Sequence, residues 1–156
     1  MTFAPVQENQ WRRLQQSAGN IDVIKSKAER IITGLTNVFK PGEENGSPRI
    51  VFKVINEVRL LAEVETDLGS GRLRLDWRSD ESALFGLLLF ERLQLDQRDR
   101  PFWEPGLSVK VPADGAWEVG GEPTTISGSQ NLREGDKLYV LGLSILYVII
   151  NGPVKV

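Results

Sequence analysis

From Ile50 onwards the chain changes its hydrophobic period, and this change constrains the fold more than any other feature of the sequence. Ile50, Phe52 and Val54, then Val58, Leu60, Ala62 and Val64, are apolar at even positions, while Lys53, Glu57, Arg59, Glu63 and Glu65 fill odd ones. Alternation of this kind belongs to a strand with one buried face. After "TDLGSG" the run "RLRLDWR" alternates again, with Leu73, Leu75 and Trp77 inward. If Glu65 faces Arg72 and Glu63 faces Arg74, then Val64, Ala62 and Leu60 meet Leu73, Leu75 and Trp77, and opposite charges pair on the other face. The expectation is a hairpin. Residues 49–66 admit one strand, two strands, or a helix opened by Ser47-Pro48 with Val51, Val54, Ile55, Val58 and Leu61 on one face. Dense β-branching over 50–58 favours strand.

Ahead of this region the period is helical. "PVQENQWRRLQQSAG" reads as a short helix, with Pro5 in the first turn, Trp11, Leu14 and Ala18 along one side and Gly19 as the stop. "NIDVIKSKAERIITGLTNVFKPG" is a second, with Asn20 as N-cap and Asp22 in the first turn. In it Ile21, Ile24, Ala28, Ile31, Leu35 and Val38 recur at spacings of three and four. This stripe either packs on the chain's own sheet or pairs with a second chain through Ile24, Ile31 and Leu35. Residues 41–48, "PGEENGSP", form a linker between the helical segment 1–40 and a β-rich body 49–156, the whole being one domain.

Within that body, Leu84 to Phe90 is apolar on both sides, as a central strand would be. "LSVKV", "AWEV" and "TTIS" are further strands separated by the turns "PADG" and "GGEP". The stretch after Lys137 carries no charge for 17 residues. A membrane span needs about 20 apolar residues; Leu138 to Ile150 gives 13, interrupted by Gly142 and closed by Asn151-Gly152-Pro153. The expectation is a bent strand pair around Gly142, central in the core, with "PVKV" as an edge. The fold expected is α+β: two N-terminal helices packed on a mostly antiparallel β-sandwich or partly open barrel.

Two absences bear on function. The chain has no cysteine, which removes disulfides, thiol catalysis and Cys-based zinc sites. It has no histidine either, which removes Ser-His-Asp, Cys-His and His-metal chemistry. Net charge is −2, with residues 1–40 at +3 and 41–71 at −3, and gives no general reason to bind nucleic acid. The N-terminus lacks the basic-then-apolar pattern of a secretion signal, so the expected compartment is cytoplasmic, with no membrane association.

The densest constellation is "LDQRDRPFWEPG", Leu95 to Gly106, read as a loop between two strands. It holds Arg98, Arg100, Phe102 and Trp103 as candidate contacts; arginine and tryptophan are the types most enriched in interface hot spots, because each combines large contact area with polar ends. Against this stands a plain connecting loop whose aromatic rings plug the end of the barrel. Asp80 and Glu81 in "SDES" form an acidic pair that could perform hydrolytic acid–base work, in a loop without calcium-site spacing. The arginines at 72, 74, 78, 92, 98 and 100 are matched by Asp76, Asp80, Glu81, Glu91, Asp96 and Asp99, which points to internal ion pairing.

"NLREGDKLYVLG" resembles the closing strands of small β modules, including forkhead-associated domains, where a leucine, a Gly-Asp turn, an aliphatic strand and a glycine recur. Phosphothreonine recognition in that family would need a Ser-x-x-His, and this chain has no histidine, so no family is claimed.

These readings favour a non-catalytic protein-binding or assembly module, such as an adaptor, an inhibitor or immunity-type protein, or a structural subunit. Its partner would be another protein or a second copy, and no metal or cofactor is implied. The alternative is a small-molecule or carbohydrate-binding β module using Trp77, Trp103 or Trp117. A carboxylate-dependent hydrolase comes third.

Overall fold

The computed structural model describes residues 11–12, 15, 18–40, 48–79, 83–120 and 133–153. Six strands follow one another in a meander: β1 (Ile50–Asn56), β2 (Leu61–Thr66), β3 (Gly69–Ser79), β4 (Leu84–Leu95), β5 (Pro101–Pro112) and β6 (Glu118–Gly120). Their order in the sheet is their order in the chain, and every pair is antiparallel. Two helices have their bounds among the described residues, α1 (Ile21–Val38) and α2 (Glu134–Asn151), and residues 11, 12, 15 and 18 of the first expected helix are also helical. The class is therefore α+β with a largely antiparallel sheet, as expected. The sheet is single and open among the described residues, neither a sandwich nor a barrel. The proposed "TTIS" strand, most of the first helical segment and the "PVKV" edge lie outside the described residues.

Alternation builds the sheet. On the inner face Ile50, Phe52, Ala62, Val64, Leu73, Leu88, Phe90, Val109 and Val111 are buried. They meet Ile24, Ala28, Ile31, Ile32 and Leu35 from α1 and Leu141, Ile145, Val148 and Ile149 from α2. Each such side chain withdrawn from water contributes roughly 1.5–3 kcal/mol, so two helices on one sheet face make a continuous core. Residues 49–66 resolve as two strands, because a turn at 57–60, held by Asn56 Oδ1 accepting from the Arg59 N–H at 3.0 Å, reverses the chain.

The β2–β3 hairpin pairs Ala62 with Leu73 and Glu63 with Arg72, a slip of two residues from the sequence expectation. A slip of two leaves every side chain on its face. The turn is only Asp67-Leu68, tightened by the Thr66 hydroxyl, which donates to Gly69 O at 2.7 Å and accepts from the Leu68 N–H at 3.1 Å.

The uncharged C-terminal stretch is a helix and not a strand pair. Its buried positions include Leu138, Leu141, Gly142, Ile145, Leu146 and Ile149, a helical repeat against the sheet and α1. Gly142 is no turn: a Cβ there would collide with the Phe39 ring, so glycine lets α2 approach the end of α1. The stretch that resembled the closing strands of a forkhead-associated domain thus has no strand among its described residues. Asn20 stands at the N-cap of α1 without a side-chain capping hydrogen bond, while Asp22 occupies the first turn as expected. No helix among the described residues is long and apolar enough to cross a membrane.

Side chains tie the layers together. Lys27 on α1 donates to the carbonyls of Pro112, Ala113 and Gly115, at 3.0, 2.8 and 3.0 Å, and so fixes the turn after β5. Arg92, from β4, pairs with Glu104 at 2.6 Å and donates to the Ile149 carbonyl at 3.3 Å, placing a cation at the C-terminal end of α2 where the helix dipole favours it. Lys137 lies over the Trp117 ring at 3.9 Å and donates to the Trp117 carbonyl, while Trp117 Nε1 donates to Glu134 at 2.8 Å.

Candidate functional site

β4 and β5 are longer than their neighbours, and this decides where the sheet is open. Pairing with β3 ends at Gly71↔Arg92, and pairing with β6 spans only Ser108 to Lys110. The hairpin end between Leu93 and Trp103 therefore projects with no flanking strand among the described residues. The segment expected to be a loop is mostly strand, with a turn confined to 96–100.

That turn is built by Asp96. Its backbone N–H donates to Arg100 O at 2.9 Å, and the Asp99 N–H donates to Asp96 O at 3.0 Å. Asp99 then takes φ 58°, the left-handed residue that closes a three-residue hairpin. The Asp96 carboxylate accepts from the Arg98 and Arg100 N–H groups at 2.8 and 2.9 Å and from Arg100 Nε at 3.2 Å. The backbone bonds from Arg100 and then Arg98 hold this carboxyl below the usual range.

A bulge at Gly106 shifts the register between Phe90 and Glu91, and a Cβ there would strike Val148. Beyond it, Phe102 and Glu104 share the inner face with Arg92 and Gln94, while Trp103 and Pro105 share the outer face with Leu93 and Glu91. Phe102 and Trp103, adjacent in sequence, thus point to opposite sides. Both are exposed, as are Leu93 and Leu95.

On the outer face Glu91 is 5% exposed and accepts from Arg72 Nε at 2.9 Å and Arg74 Nε at 2.7 Å. Burial pushes its pKa up, but hydrogen bonds from Arg74 and Arg72 outweigh this and hold it below the usual carboxylate range. The Arg72 guanidinium lies 4.3 Å from the Trp103 ring centroid. Asp76 extends the ladder to Arg78 at 2.5 Å. Arginines 72, 74 and 78 on this face are ion-paired internally, as are Arg92 on the inner face and Arg100 in the turn.

Of the residues singled out from sequence, Arg98, Arg100, Phe102 and Trp103 come together on the hairpin. Ile24, Ile31 and Leu35 do not join them: all three lie in the chain's own core. Asp80 and Glu81 lie outside the described residues. Glu91 and Asp96, read from sequence as internal ion-pair partners of the arginines, are paired with Arg72, Arg74 and Arg100, whereas Leu93 and Leu95 were not singled out. No group of three or more Asp or Glu among the described residues is placed to hold a metal ion. Compared with protein-family models, with curated proteins and with solved structures, the chain has no significant match.

Proposed function

We propose that this protein is a non-catalytic partner-binding module that engages another protein through the projecting β4–β5 hairpin. The observation that carries this reading is the concentration of Leu93, Leu95, Phe102 and Trp103, all solvent-exposed, on a hairpin end that no neighbouring strand flanks among the described residues. Exposed apolar groups clustered on a rigid projection mark interaction sites, and aromatic anchors supply most of the energy in such contacts. The Asp96 turn and the Arg72–Trp103 stack support the reading because both hold the hairpin in a defined shape before binding.

The test is native mass spectrometry of the protein purified gently from its own host, beside a Leu95→Ser, Trp103→Ala variant. A second protein in fixed stoichiometry with the wild type, lost from the variant, is the expected result. A partner retained by the variant, or a bare wild-type chain, overturns the reading.

A further inference from the structure

The exposed side of α2 is as apolar as its buried side. Tyr139, Leu143, Tyr147 and Ile150 are 37, 37, 54 and 56% exposed and recur at spacings of four, four and three, so they line one face of the helix. No residue from Leu138 to Pro153 is charged. Tyr139 is held in place by stacking on Phe39, with ring centroids 5.5 Å apart. A helix on a soluble sheet ordinarily turns charged or polar residues outward; this one turns two tyrosines, a leucine and an isoleucine.

We propose that this face pairs with the same face of a second copy, α2 antiparallel to α2 about a two-fold axis that crosses the stripe between Leu143 and Tyr147. An isologous contact must be self-complementary, and this stripe is. Reversing it sets Tyr139 against the partner's Ile150 and Leu143 against the partner's Tyr147, an aromatic ring against an aliphatic side chain at every level. An uncharged stripe meets its copy without like-charge repulsion. It offers no counter-ion to a charged peptide, and the charges flanking it at the helix start, Glu134 and Asp136, oppose an anionic lipid surface. At their exposures the four side chains cover roughly 400 Å² per copy, roughly 800 Å² for the pair, less than a standard interface buries, so the contact is a weak, transient one that dissociates on dilution. The inference goes beyond the hairpin reading: it uses none of the hairpin residues, and either can fail without the other.

Sedimentation velocity on the purified chain, over a series from micromolar to millimolar protein, tests it. The expected result is a rise from one chain mass to two, abolished in Leu143→Arg, Tyr147→Arg with the melting temperature retained, and unchanged in Leu95→Ser, Trp103→Ala. Because the chain lacks cysteine, a second test keeps the core intact: mixed Leu143→Cys and Tyr147→Cys chains should form a disulfide-linked heterodimer under mild oxidation, and a Val58→Cys control should not. A chain monomeric throughout the series overturns the proposal. So does a dimer lost only in the hairpin variant, which moves the contact there, or a monomer that binds phosphatidylcholine vesicles through Tyr147, which assigns the face to lipid.

Discussion

Arg72 covers one face of the Trp103 indole, its Cζ 4.3 Å from the ring centroid, while its Nε donates to Glu91 at 2.9 Å. The pairing fixes both partners: Glu91 anchors the guanidinium, and the guanidinium fixes the ring at the base of the projecting hairpin. A contact of this kind is worth about 0.5–1 kcal/mol at an exposed site. It also occupies the surface on which a sugar or planar metabolite would stack. The Trp117 ring is likewise covered, by Lys137. Two of the three tryptophans that would serve a ligand-stacking module are thus engaged by the protein's own cations.

Removing that cover should be visible. Arg72→Ala is expected to increase acrylamide quenching of tryptophan fluorescence, because Trp103 gains an open face. Wild-type emission should not respond to a panel of neutral sugars. A saturable sugar response in the wild type would favour the ligand-binding alternative over a protein partner.

The Glu91 cluster predicts the shape of acid unfolding. Its folded-state pKa lies below the unfolded value, so its contribution to stability is complete above the ordinary carboxylate range and is lost as pH falls through that range toward the lower folded value. Glu91→Gln should destabilise the protein by roughly 1–3 kcal/mol at neutral pH, since two arginines lose a charged acceptor. The same variant should flatten the acid limb of the stability curve. Chemical denaturation at neutral pH and at pH below the carboxylate range measures both. An unchanged acid limb would show that the cluster does not hold its charge in the fold.

How far the fold was legible follows from where polar contrast exists. Between Ile50 and Trp77 charged and apolar residues alternate, and of the inward set read from sequence Ile50, Phe52, Leu60, Ala62, Val64 and Leu73 are buried, whereas Val54, Val58 and Trp77 are exposed. The register slipped by two because charge pairing could not tell Glu63 opposite Arg72 from Glu65 opposite Arg72; only the Thr66-anchored two-residue turn decides it. In α2 the contrast vanishes. Tyr139, Leu143, Tyr147 and Ile150 are exposed yet apolar, so no period showed, and Gly142 looked like a turn when it is a contact point for Phe39. The hairpin residues were legible by type. Which face each one takes was not, because that depends on the bulge at Gly106. Arg72 and Arg74 joined the site from a different strand, β3, through pairing that only the sheet register creates.

The Gly142–Phe39 contact can be tested directly. Gly142→Ala places a methyl group into the Phe39 ring, and overpacking of this kind costs about 1–3 kcal/mol. Helix propensity would favour alanine by about 1 kcal/mol, so a net loss in thermal denaturation isolates the clash. Phe39→Leu in the Gly142→Ala background should recover part of the loss, although Phe39→Leu alone destabilises by leaving space beside Gly142. Simple additivity of the two changes would show that the ring and the glycine are not coupled.

The hairpin turn offers a local readout that global stability would miss. Asp96 organises it through three hydrogen bonds, and its carboxyl is held below the usual range by the N–H groups of Arg100 and Arg98. Its contribution is therefore present above the ordinary carboxylate range and is lost as pH falls below it. Asp96→Ala should accelerate amide exchange at Arg98 and Arg100, with little change at Leu88 or Val109 in the sheet interior. Asp99→Gly acts in the opposite direction: glycine takes the left-handed conformation without strain, and the greater entropy of its unfolded chain offsets that gain, so overall stability should stay within about 1 kcal/mol. The turn itself should remain protected in Asp99→Gly. Were Asp96→Ala instead to speed exchange throughout β4 and β5, the hairpin end would be part of the cooperative core and would not be a separately ordered projection available to a partner.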